Sequence, residues 1–352
     1  MTLTVFLITL FKVLILAGIA INVVPIMTWV ERRGSAFIQG RIGPNRVGPF
    51  GLFQPLADVI KFITKEDTFY PHVDKILFII APGFSLVPAV LALAAIPFGP
   101  AITLFGYTTK LQIADINVGL IFVFAAASMG IYGILLGGWS SNNKYSFLGC
   151  IRSSAQMISY EVAMGLSIVG ILMVYETASL SEIVRAQGQP LWGWIPKWGI
   201  FTQPLAFFLF WITVFAETNR LPFDLPEGET ELVAGYHTEY SGMKFALFFM
   251  AEYIAMFTGG ALLSTLFLGG WQFPPFIHTW IYSFGLSQNI LALLHMLCFL
   301  VKVCFFLWCF VWVRWTFPRF RYDQLMNLGW KIMIPLGLLN IFVTGVFIYI
   351  LS

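Results

Sequence analysis

Eight long apolar runs constrain this chain more than any other feature of its sequence. Read in windows of about 19 residues, they cover approximately 3–30, 76–97, 116–138, 155–175, 200–216, 245–268, 288–313 and 331–351. A helix of about 20 apolar residues spans a bilayer, and only 11% of the 352 residues are charged. The sequence therefore predicts an all-α, polytopic transmembrane helix bundle of about eight spans, forming a single integral membrane domain over residues 1–352. The first run is too long for a signal peptide and lacks a small-residue cleavage site, so we expect it to remain as a helix.

The positively charged residues predict how the bundle is oriented. Of the 20 Lys and Arg, 15 lie in the connections that follow odd-numbered runs, namely 31–75, 139–154, 217–244 and 314–331. Because such residues are enriched on the inside of a membrane, we predict that these connections face inside and that both termini are outside. The outside connections carry only Lys110, Arg185 and Lys197. With a net charge of +3 and no basic-aromatic module, no nucleic-acid partner is expected.

The cysteines and histidines do not have the spacing of a metal or haem site. Cys298, Cys304 and Cys309 share one apolar run and Cys150 is distant, which fits neither iron–sulfur nor zinc sites. The four histidines do not pair within helices, and no glycine-rich phosphate loop follows a strand. We therefore predict no metal and no covalently bound cofactor. Any redox or nucleotide chemistry must belong to another chain or to a diffusible substrate.

The inside connection 217–244 is unusually acidic. It holds six of the 17 acidic residues within 23 positions, with Arg220 as the only formal positive charge there. The six are Glu217, Asp224, Glu227, Glu229, Glu231 and Glu239. Carboxylates crowded beside a membrane resist ionisation, and such groups exchange protons when a neighbouring charge changes. Proton handling is the first hypothesis, although a solvated acidic loop that binds a basic partner is the commoner meaning of a charge run.

The other inside connections contain a predicted amphipathic helix and a basic segment. Residues 52–65 have helical periodicity, with Leu56, Val59, Ile60 and Ile63 forming an apolar stripe. On the residues alone, a surface helix in the lipid headgroups is favoured over a cap with Asp58 facing inward. Residues 314–331 are basic and aromatic, as is usual for an inside anchor. If they lay beside the acidic connection, the two would form a charge network.

Three ionisable residues lie inside the apolar runs, namely Glu161, Glu252 and Lys302. Each costs on the order of 3 kcal/mol or more if it is unpaired in lipid. One interpretation is a proton path towards mid-membrane, bridged by the adjacent Tyr160 and Tyr253. The other is a structural ion pair between Lys302 and one of the glutamates. Intramembrane charges usually mark ion or proton paths, which favours the first interpretation.

A set of motifs running from Glu31 to Met326 resembles one known family. They read Glu-Arg-Arg, Gly-Pro-Asn-Arg-Val-Gly-Pro, Gln-Pro-Leu-Ala-Asp, Ile-Ser-Tyr-Glu-Val, Ala-Glu-Thr-Asn-Arg-Leu-Pro-Phe-Asp-Leu-Pro-Glu-Gly-Glu-Thr-Glu-Leu-Val, Phe-Phe-Met-Ala-Glu-Tyr and Pro-Arg-Phe-Arg-Tyr-Asp-Gln-Leu-Met. Together they are similar to chain 1 of NADH:ubiquinone oxidoreductase, respiratory complex I. The resemblance covers nearly the whole chain and departs nowhere from the family's charged pattern.

The resemblance implies a role for many of these residues. It makes the chain the heel subunit of the membrane arm, building much of a ubiquinone chamber entered from the bilayer. Residues matching the chamber lining are Arg32, Arg41, Asp58, Arg220 and Phe249. Residues matching the acidic path that couples quinone reduction to proton translocation are Glu161, Glu217, Asp224, Glu227, Glu229, Glu231, Glu239 and Glu252. A charge network would include Lys302, Arg314, Arg319 and Arg321. Residues 52–65 would then be the helix at the chamber entrance.

The resemblance also implies partners, substrate and location. Ubiquinone would be the substrate, while NADH, FMN and the iron–sulfur clusters would belong to partner subunits of the respiratory chain. Partners would include the peripheral-arm quinone-module subunits, other membrane-arm subunits and lipids. Abundant Phe favours a mitochondrial inner-membrane location, with a bacterial plasma membrane as the alternative. An independent proton-coupled transporter using Glu161, Glu252 and Lys302, and a purely structural anchor, remain as competing functions.

Overall fold

A computed structural model describes residues 3–104, 106–192, 195–225 and 228–351. In chain order its α-helices are α1 (Leu3–Ile38), α2 (Gln54–Thr64), α3 (Lys75–Ala94), α4 (Gly119–Ser140), α5 (Lys144–Tyr175), α6 (Leu180–Gln187), α7 (Gly199–Thr202), α8 (Pro204–Glu217), α9 (Glu229–Leu232), α10 (Gly242–Phe267), α11 (Pro275–Ser283), α12 (Gln288–Thr316), α13 (Tyr322–Asn327) and α14 (Ile334–Leu351). A π-helix, Leu328–Met333, joins the last two, and short 3₁₀ turns cover Pro49–Gly51 and Gly235–His237. Two antiparallel hairpins pair β1 (Gly99–Leu104) with β2 (Tyr107–Leu111) and β3 (Pro190–Trp192) with β4 (Ile195–Pro196).

The predicted all-α, polytopic membrane bundle is confirmed. Among the described residues, seven helical stretches are long and apolar enough to cross a bilayer: α1, α3, α4, α5, α10, α12 and the joined α13–α14. The fifth predicted span is α8, which has only 14 residues where about 20 are needed. Its short length is compatible with its position, because most of its side chains are buried among the longer helices.

The centre of the bundle is an aromatic contact between α8, α10 and α12. Phe207 of α8 lies 5.4 Å from Phe267 of α10 and 6.4 Å from Phe306 of α12, measured between ring centroids. Helices α8 and α10 approach closely at Gly259, where an added Cβ would lie 2.3 Å from Val214. Small residues at such crossings let membrane helices pack tightly. Helix α8 is therefore held from several sides and places Glu217 at a fixed position.

The two ends of the bundle differ in character. At one end, Lys12 near the start of α1 donates to the Gln112 carbonyl at the foot of the first hairpin, 3.1 Å away. At the other end, Glu31 of α1 meets Arg220, which follows α8. We call these the hairpin end and the acidic end. The described ends of the chain, Leu3 in α1 and Leu351 in α14, both lie at the hairpin end, because α14 reaches Gln203 there through Thr344.

Several helices extend past the apolar runs that predicted them. The connection predicted over 139–154 is nearly all helical, because α5 begins at Lys144 and only residues 141–143 separate it from α4. The prediction took the end of the apolar run as the end of the helix. The first turns of α5 persist because they pack on protein, with Ser146 and Cys150 buried and Asn143 capping the helix by accepting from Tyr145 N at 2.9 Å.

Helix α1 likewise continues to Ile38, which carries Glu31 and Arg32 on its last turns instead of in a loop. At 36 residues and about 1.5 Å per residue, it is longer than a bilayer core requires. The helix predicted over 52–65 is present as α2. In the described part of the acidic connection, the helical structure consists of α9 and the 3₁₀ turn Gly235–His237.

Candidate functional site

Four charged side chains from four different elements meet around Glu31 at the acidic end. Arg220 Nη1 lies 3.4 Å from Glu31 Oε2, and Arg220 Nε lies 3.1 Å from Glu252 Oε1. Arg314, at the end of α12, forms a short ion pair with Glu31 Oε1. Tyr253 donates its hydroxyl to Glu31 Oε2 at 2.8 Å. We call Glu31, Arg220, Glu252, Tyr253 and Arg314 the Glu31 cluster.

The Glu31 cluster is buried, and its formal charges balance. The side chain of Arg220 is 5% exposed and that of Glu31 10%, while the Arg220 guanidinium also lies 4.5 Å from the Tyr253 ring centroid. Two arginines face two carboxylates. Desolvation makes a buried charge costly unless it is paired and hydrogen-bonded, so each member depends on the others. Arg220 of the acidic connection and Arg314 of the basic connection both bond Glu31 here, and the two connections touch directly where Arg319 Nη2 lies 2.7 Å from Asp224 Oδ2.

A cavity adjoins the cluster and is lined by both Glu217 and Glu252. Its polar wall includes Thr218, Asn219 and Thr258, and its other walls are apolar side chains of α3, α4, α8 and α10. Glu161 of α5 lies near enough to Glu217 for the two carboxylates to repel each other, and it contacts the Ser128 hydroxyl. The three carboxylates predicted for the membrane part of the path thus occupy one region.

Helix α2 presents its polar side to α1. Asp58 Oδ2 accepts from Arg32 Nη1 at 2.6 Å and Asp58 Oδ1 lies 3.4 Å from Lys61 Nζ. The Asp58 side chain is 18% exposed, whereas Ile60 and Ile63 on the apolar stripe are 62% and 64% exposed. Asp58 therefore faces inward towards α1, and the apolar stripe faces outward.

The acidic connection is held by cations and amides from other elements. Arg319 Nη2 donates to Asp224 Oδ2 at 2.7 Å, and Arg152 Nη1 donates to Glu231 Oε2 at 2.8 Å. Asn143 Nδ2 donates to Glu239 Oε1 at 2.6 Å. Glu229 lies in α9, and Glu227 lies outside the described residues. Like-charge crowding within the connection is thus offset by partners that the local sequence does not contain.

Next to these residues, His237 is buried within an aromatic group. Its ring lies 5.2 Å from that of Phe245 and 5.9 Å from that of Phe249, centroid to centroid. Burial lowers the pKa of His237 to about 4, so the imidazole is neutral at physiological pH. Phe249, predicted for the chamber lining, is half-buried in this group and lies on the face of α10 that carries Glu252 and Tyr253 one turn further.

Two residues predicted for the charge network, Lys302 and Arg321, lie apart from the Glu31 cluster. Lys302 donates to the carbonyls of Leu268, Gly270 and Gln272 at 2.7, 2.8 and 2.7 Å, at the hairpin end. It stabilises the end of α10 and no described contact joins it to a glutamate, so the predicted ion pair is wrong. Arg321 is exposed and bonds Asp323, two residues away, at 2.5 and 2.6 Å. Arg41 similarly makes local contacts, to Gln39 and Ser35.

Sequence reasoning missed Glu31 as a site residue. It stands beside Arg32 at the end of an apolar run, which looks like an ordinary anchoring position. A usable signal was present, because Arg220 and Glu252 at membrane boundaries both required partners and few other buried charges were available. Arg152 and Asn143 were missed because they were assigned to a loop. Tyr253 was expected to act through water, but it bonds Glu31 directly, while Tyr160 donates to the Leu325 carbonyl at 2.9 Å.

Comparisons with known proteins agree with this arrangement. Residues 11–345 match the family model described as NADH dehydrogenase. The chain is 51% identical to an NADH-quinone oxidoreductase subunit of Cytophaga hutchinsonii, over 90% of each chain. It is 47% identical to the corresponding NADH-quinone oxidoreductase subunit of Bdellovibrio bacteriovorus, over 97% of this chain and 96% of that one. It is 49% identical to an NADH-quinone oxidoreductase subunit of Koribacter versatilis, over 97% of each.

Proposed function

Because the chain belongs to the NADH dehydrogenase family, we propose that it is the membrane subunit of respiratory complex I that builds much of the quinone chamber and the acidic path leaving it. Its relatives are named as subunits of NADH-quinone oxidoreductase, an enzyme complex. An independent transporter is not supported by these comparisons. The observation that carries the proposal is the Glu31 cluster, which connects Arg220, a matched chamber residue, directly to Glu252, a matched residue of the acidic path.

The chemistry of quinone reduction gives this connection a purpose. A quinone takes up two electrons and two protons, and an anionic intermediate changes the field at nearby charges. A guanidinium attracted by that anion is drawn from its carboxylate partners, and coupled carboxylates respond by exchanging protons. Arg32, with Asp58 at 2.6 Å, is placed to orient a polar headgroup and to stabilise its anion. NADH oxidation, FMN and iron–sulfur clusters belong to partner subunits in this proposal, so the chain shapes the site and holds no redox centre.

We place the chain, as a single integral membrane domain, in a bacterial plasma membrane. The abundance of Phe favoured a mitochondrial membrane, with a bacterial plasma membrane as the alternative. The bacterial source of the relatives supports the bacterial membrane. The 15 cations in the odd-numbered connections support an inside-facing acidic end, with both termini outside. Peripheral-arm quinone-module subunits would then dock on the acidic end, and membrane-arm subunits and lipids would contact the exposed helices.

The proposal is tested by separating quinone reduction from NADH oxidation. Arg32→Met and Asp58→Asn should lower ubiquinone reductase activity in assembled complex while electron transfer from NADH to an artificial acceptor survives. Lys75→Met and Glu66→Gln are matched controls, because both residues are exposed at the acidic end and neither is placed in the chamber. Equal loss of both activities in normally assembled Arg32→Met complex would contradict the assignment.

A further inference from the structure

A second cavity lies at the hairpin end, away from the Glu31 cluster. Its walls come from β1 and β2, α6, the segment after α10, α11 and α12. Two cationic side chains, Lys110 and Arg185, line it. The hairpin-end connections contain only three Lys or Arg in all, so two at one cavity is a concentration of positive charge where the chain otherwise has little.

Two further cations approach this cavity from within the bilayer. Lys12 of α1 donates to the backbone carbonyl of Gln112, which lines the cavity, at 3.1 Å. Lys302 of α12 donates to the carbonyl of Gln272, another lining residue, at 2.7 Å. Each long side chain brings its ammonium to the hairpin end from a position inside an apolar helix. Two cations therefore line the opening, and two more bond the backbone of its lining residues.

Among the described residues, an acidic partner is present for only one of the two lining cations. Asp115 forms a short ion pair with Lys110, and Glu182 of α6 accepts from the Thr177 hydroxyl at 2.5 Å. The Arg185 side chain has no partner among the residues that the structure describes, and Arg185 is exposed. A planar guanidinium in that state can donate two parallel hydrogen bonds to phosphate oxygens.

The polar side chains at the floor and walls of the cavity already have hydrogen-bond partners within the protein. Gln112 is 5% exposed; its amide nitrogen donates to the Ala95 carbonyl at 2.7 Å, and its oxygen accepts from Ser181 at 2.6 Å. Among the wall residues, His295 Nδ1 is 2.8 Å from the Trp271 carbonyl and His295 Nε2 is 3.2 Å from the Tyr282 hydroxyl. These groups hold the shape of the cavity and leave the cations to select the ligand.

The surroundings place the cavity at the membrane surface. Trp280 is 64% exposed and Phe284, just after α11, is 58% exposed, as is typical of aromatic residues at the headgroup level. Below them on α12, Leu293 and Leu297 are 49% and 59% exposed and offer an apolar track. A ligand with a phosphate above and hydrocarbon chains below fits this combination, whereas a free anion uses only its upper part.

We propose that this cavity binds the phosphodiester headgroup of an anionic phospholipid, with Arg185 and Lys110 as the phosphate-binding residues and α12 as the support for an acyl chain. The site is separate from the quinone chamber and does not depend on that assignment. Anionic lipids are preferred over zwitterionic ones because Arg185 lines the cavity without a carboxylate partner among the described residues. The site would tie the hairpin end to the lipid bilayer at a fixed depth.

The test uses the purified assembly that contains the full chain, with a photoactivatable phosphatidylglycerol as the probe. Crosslinks in the peptides around 99–111, 180–187 and 275–295 are measured while unlabelled phosphatidylglycerol, phosphatidylcholine or inorganic phosphate competes. Arg185→Gln and Lys110→Gln should each raise the phosphatidylglycerol concentration needed for half-competition by about fivefold, since a cation near anionic headgroups contributes on the order of 1 kcal/mol. Lys197→Gln is the matched control, because Lys197 lies at the same end over the Tyr175 ring and does not line the cavity.

Three results would overturn the proposal. The first is unchanged crosslinking in both cavity variants, and the second is equal competition by phosphatidylcholine and phosphatidylglycerol. The third is stronger competition by inorganic phosphate than by phosphatidylglycerol, which would make this a free-anion site. If Arg185→Gln fails to assemble, Lys110→Gln provides the same test. Lys110 is exposed on the first hairpin, and its ion pair is with Asp115, which lies outside the helices and strands.

Discussion

Glu31 is the residue whose replacement tests the site most directly. Its carboxylate is bonded by Arg314, Arg220 and Tyr253 at once. Glu31→Gln keeps nearly the same volume and still accepts a hydrogen bond from Tyr253, but it removes the negative charge. The Glu31 cluster then changes from two cations and two anions to two cations and one anion, with a net positive charge left in a buried place.

The expected free-energy cost follows from that burial. Removing one partner of a buried ion pair costs about 3–5 kcal/mol, because the remaining charge is uncompensated. The lower limit applies here, since the Arg314 side chain is 24% exposed and Arg220 keeps Glu252 at 3.1 Å. A cost of about 3 kcal/mol corresponds to a factor of more than a hundred in an equilibrium constant. It should appear as a lower midpoint temperature for inactivation of quinone reduction and as less assembled complex.

A second substitution separates charge balance from other effects. Arg314→Gln, introduced with Glu31→Gln, restores one cation against one anion, so the double variant should be more stable than either single variant. Residues in contact commonly show coupling of about 0.5–3 kcal/mol in such a cycle. The assay is the inactivation midpoint of assembled complex, measured for the wild type, both singles and the double. Glu66→Gln serves as the control carboxylate.

Two results would refute this reasoning. One is a Glu31→Gln midpoint equal to that of Glu66→Gln, which would mean that the cluster is not effectively desolvated. The other is a double variant whose loss equals the sum of the two single losses, which would mean that Glu31 and Arg314 act independently.

Three further predictions concern the acidic path and its neighbours. Glu227→Gln and Glu231→Gln should each slow turnover and proton pumping together and combine non-additively; normal pumping in the double variant would reduce the acidic connection to a partner-binding face. Glu161→Asp should keep substantial quinone reductase activity and Glu161→Gln should lose most of it. Adding Lys302→Met should give no recovery because Lys302 bonds carbonyls at the hairpin end, and recovery would indicate a structural ion pair. His237 has a pKa of about 4 when folded and about 6.5 when unfolded, so the unfolded form binds more protons between these values and local stability should fall by about 2 kcal/mol from pH 7 to pH 5. Amide hydrogen exchange over 235–245, measured at each pH for the wild type and for His237→Gln, tests this. An identical pH dependence in the two proteins would contradict the prediction.

Much of the fold follows from the sequence because the bilayer imposes a simple rule. Apolar length determines where helices cross, and this rule predicted the seven crossing helices and the apolar run that forms α8. It could not predict where a helix ends once it leaves the bilayer. Helix α5 begins at Lys144 because its first turns pack on the acidic connection, with Ser146 donating to the Tyr236 carbonyl at 2.8 Å. That contact spans 90 residues of sequence, and no local pattern encodes it.

In the candidate site, the sequence likewise identified individual charged residues but not the partners that they contact. The intramembrane charges were visible one by one, since each is costly in lipid. Their partners were not, because Glu31 and Arg220 are separated by 189 residues and meet only when α1 lies beside the segment that follows α8. The assumed partner for a glutamate, Lys302, instead caps the end of α10. Charge alone gives a set of candidates, and only the packing of the helices assigns them to pairs.

Six of the described acidic residues form two groups with different capacities for proton exchange. Glu31, Asp224, Glu231 and Glu252 each contact an arginine, and protonating one of them requires that its ion pair first be broken. Among the described residues no cation contacts Glu161 or Glu217, which have each other and the Ser128 hydroxyl as neighbours. A proton can be shared there without losing an ion pair. Glu252 belongs to the first group and also lines the cavity with Glu217. We therefore expect a disturbance of Arg220 to reach the second group through Glu252, which makes Glu252 the residue where a change in charge becomes a movement of protons.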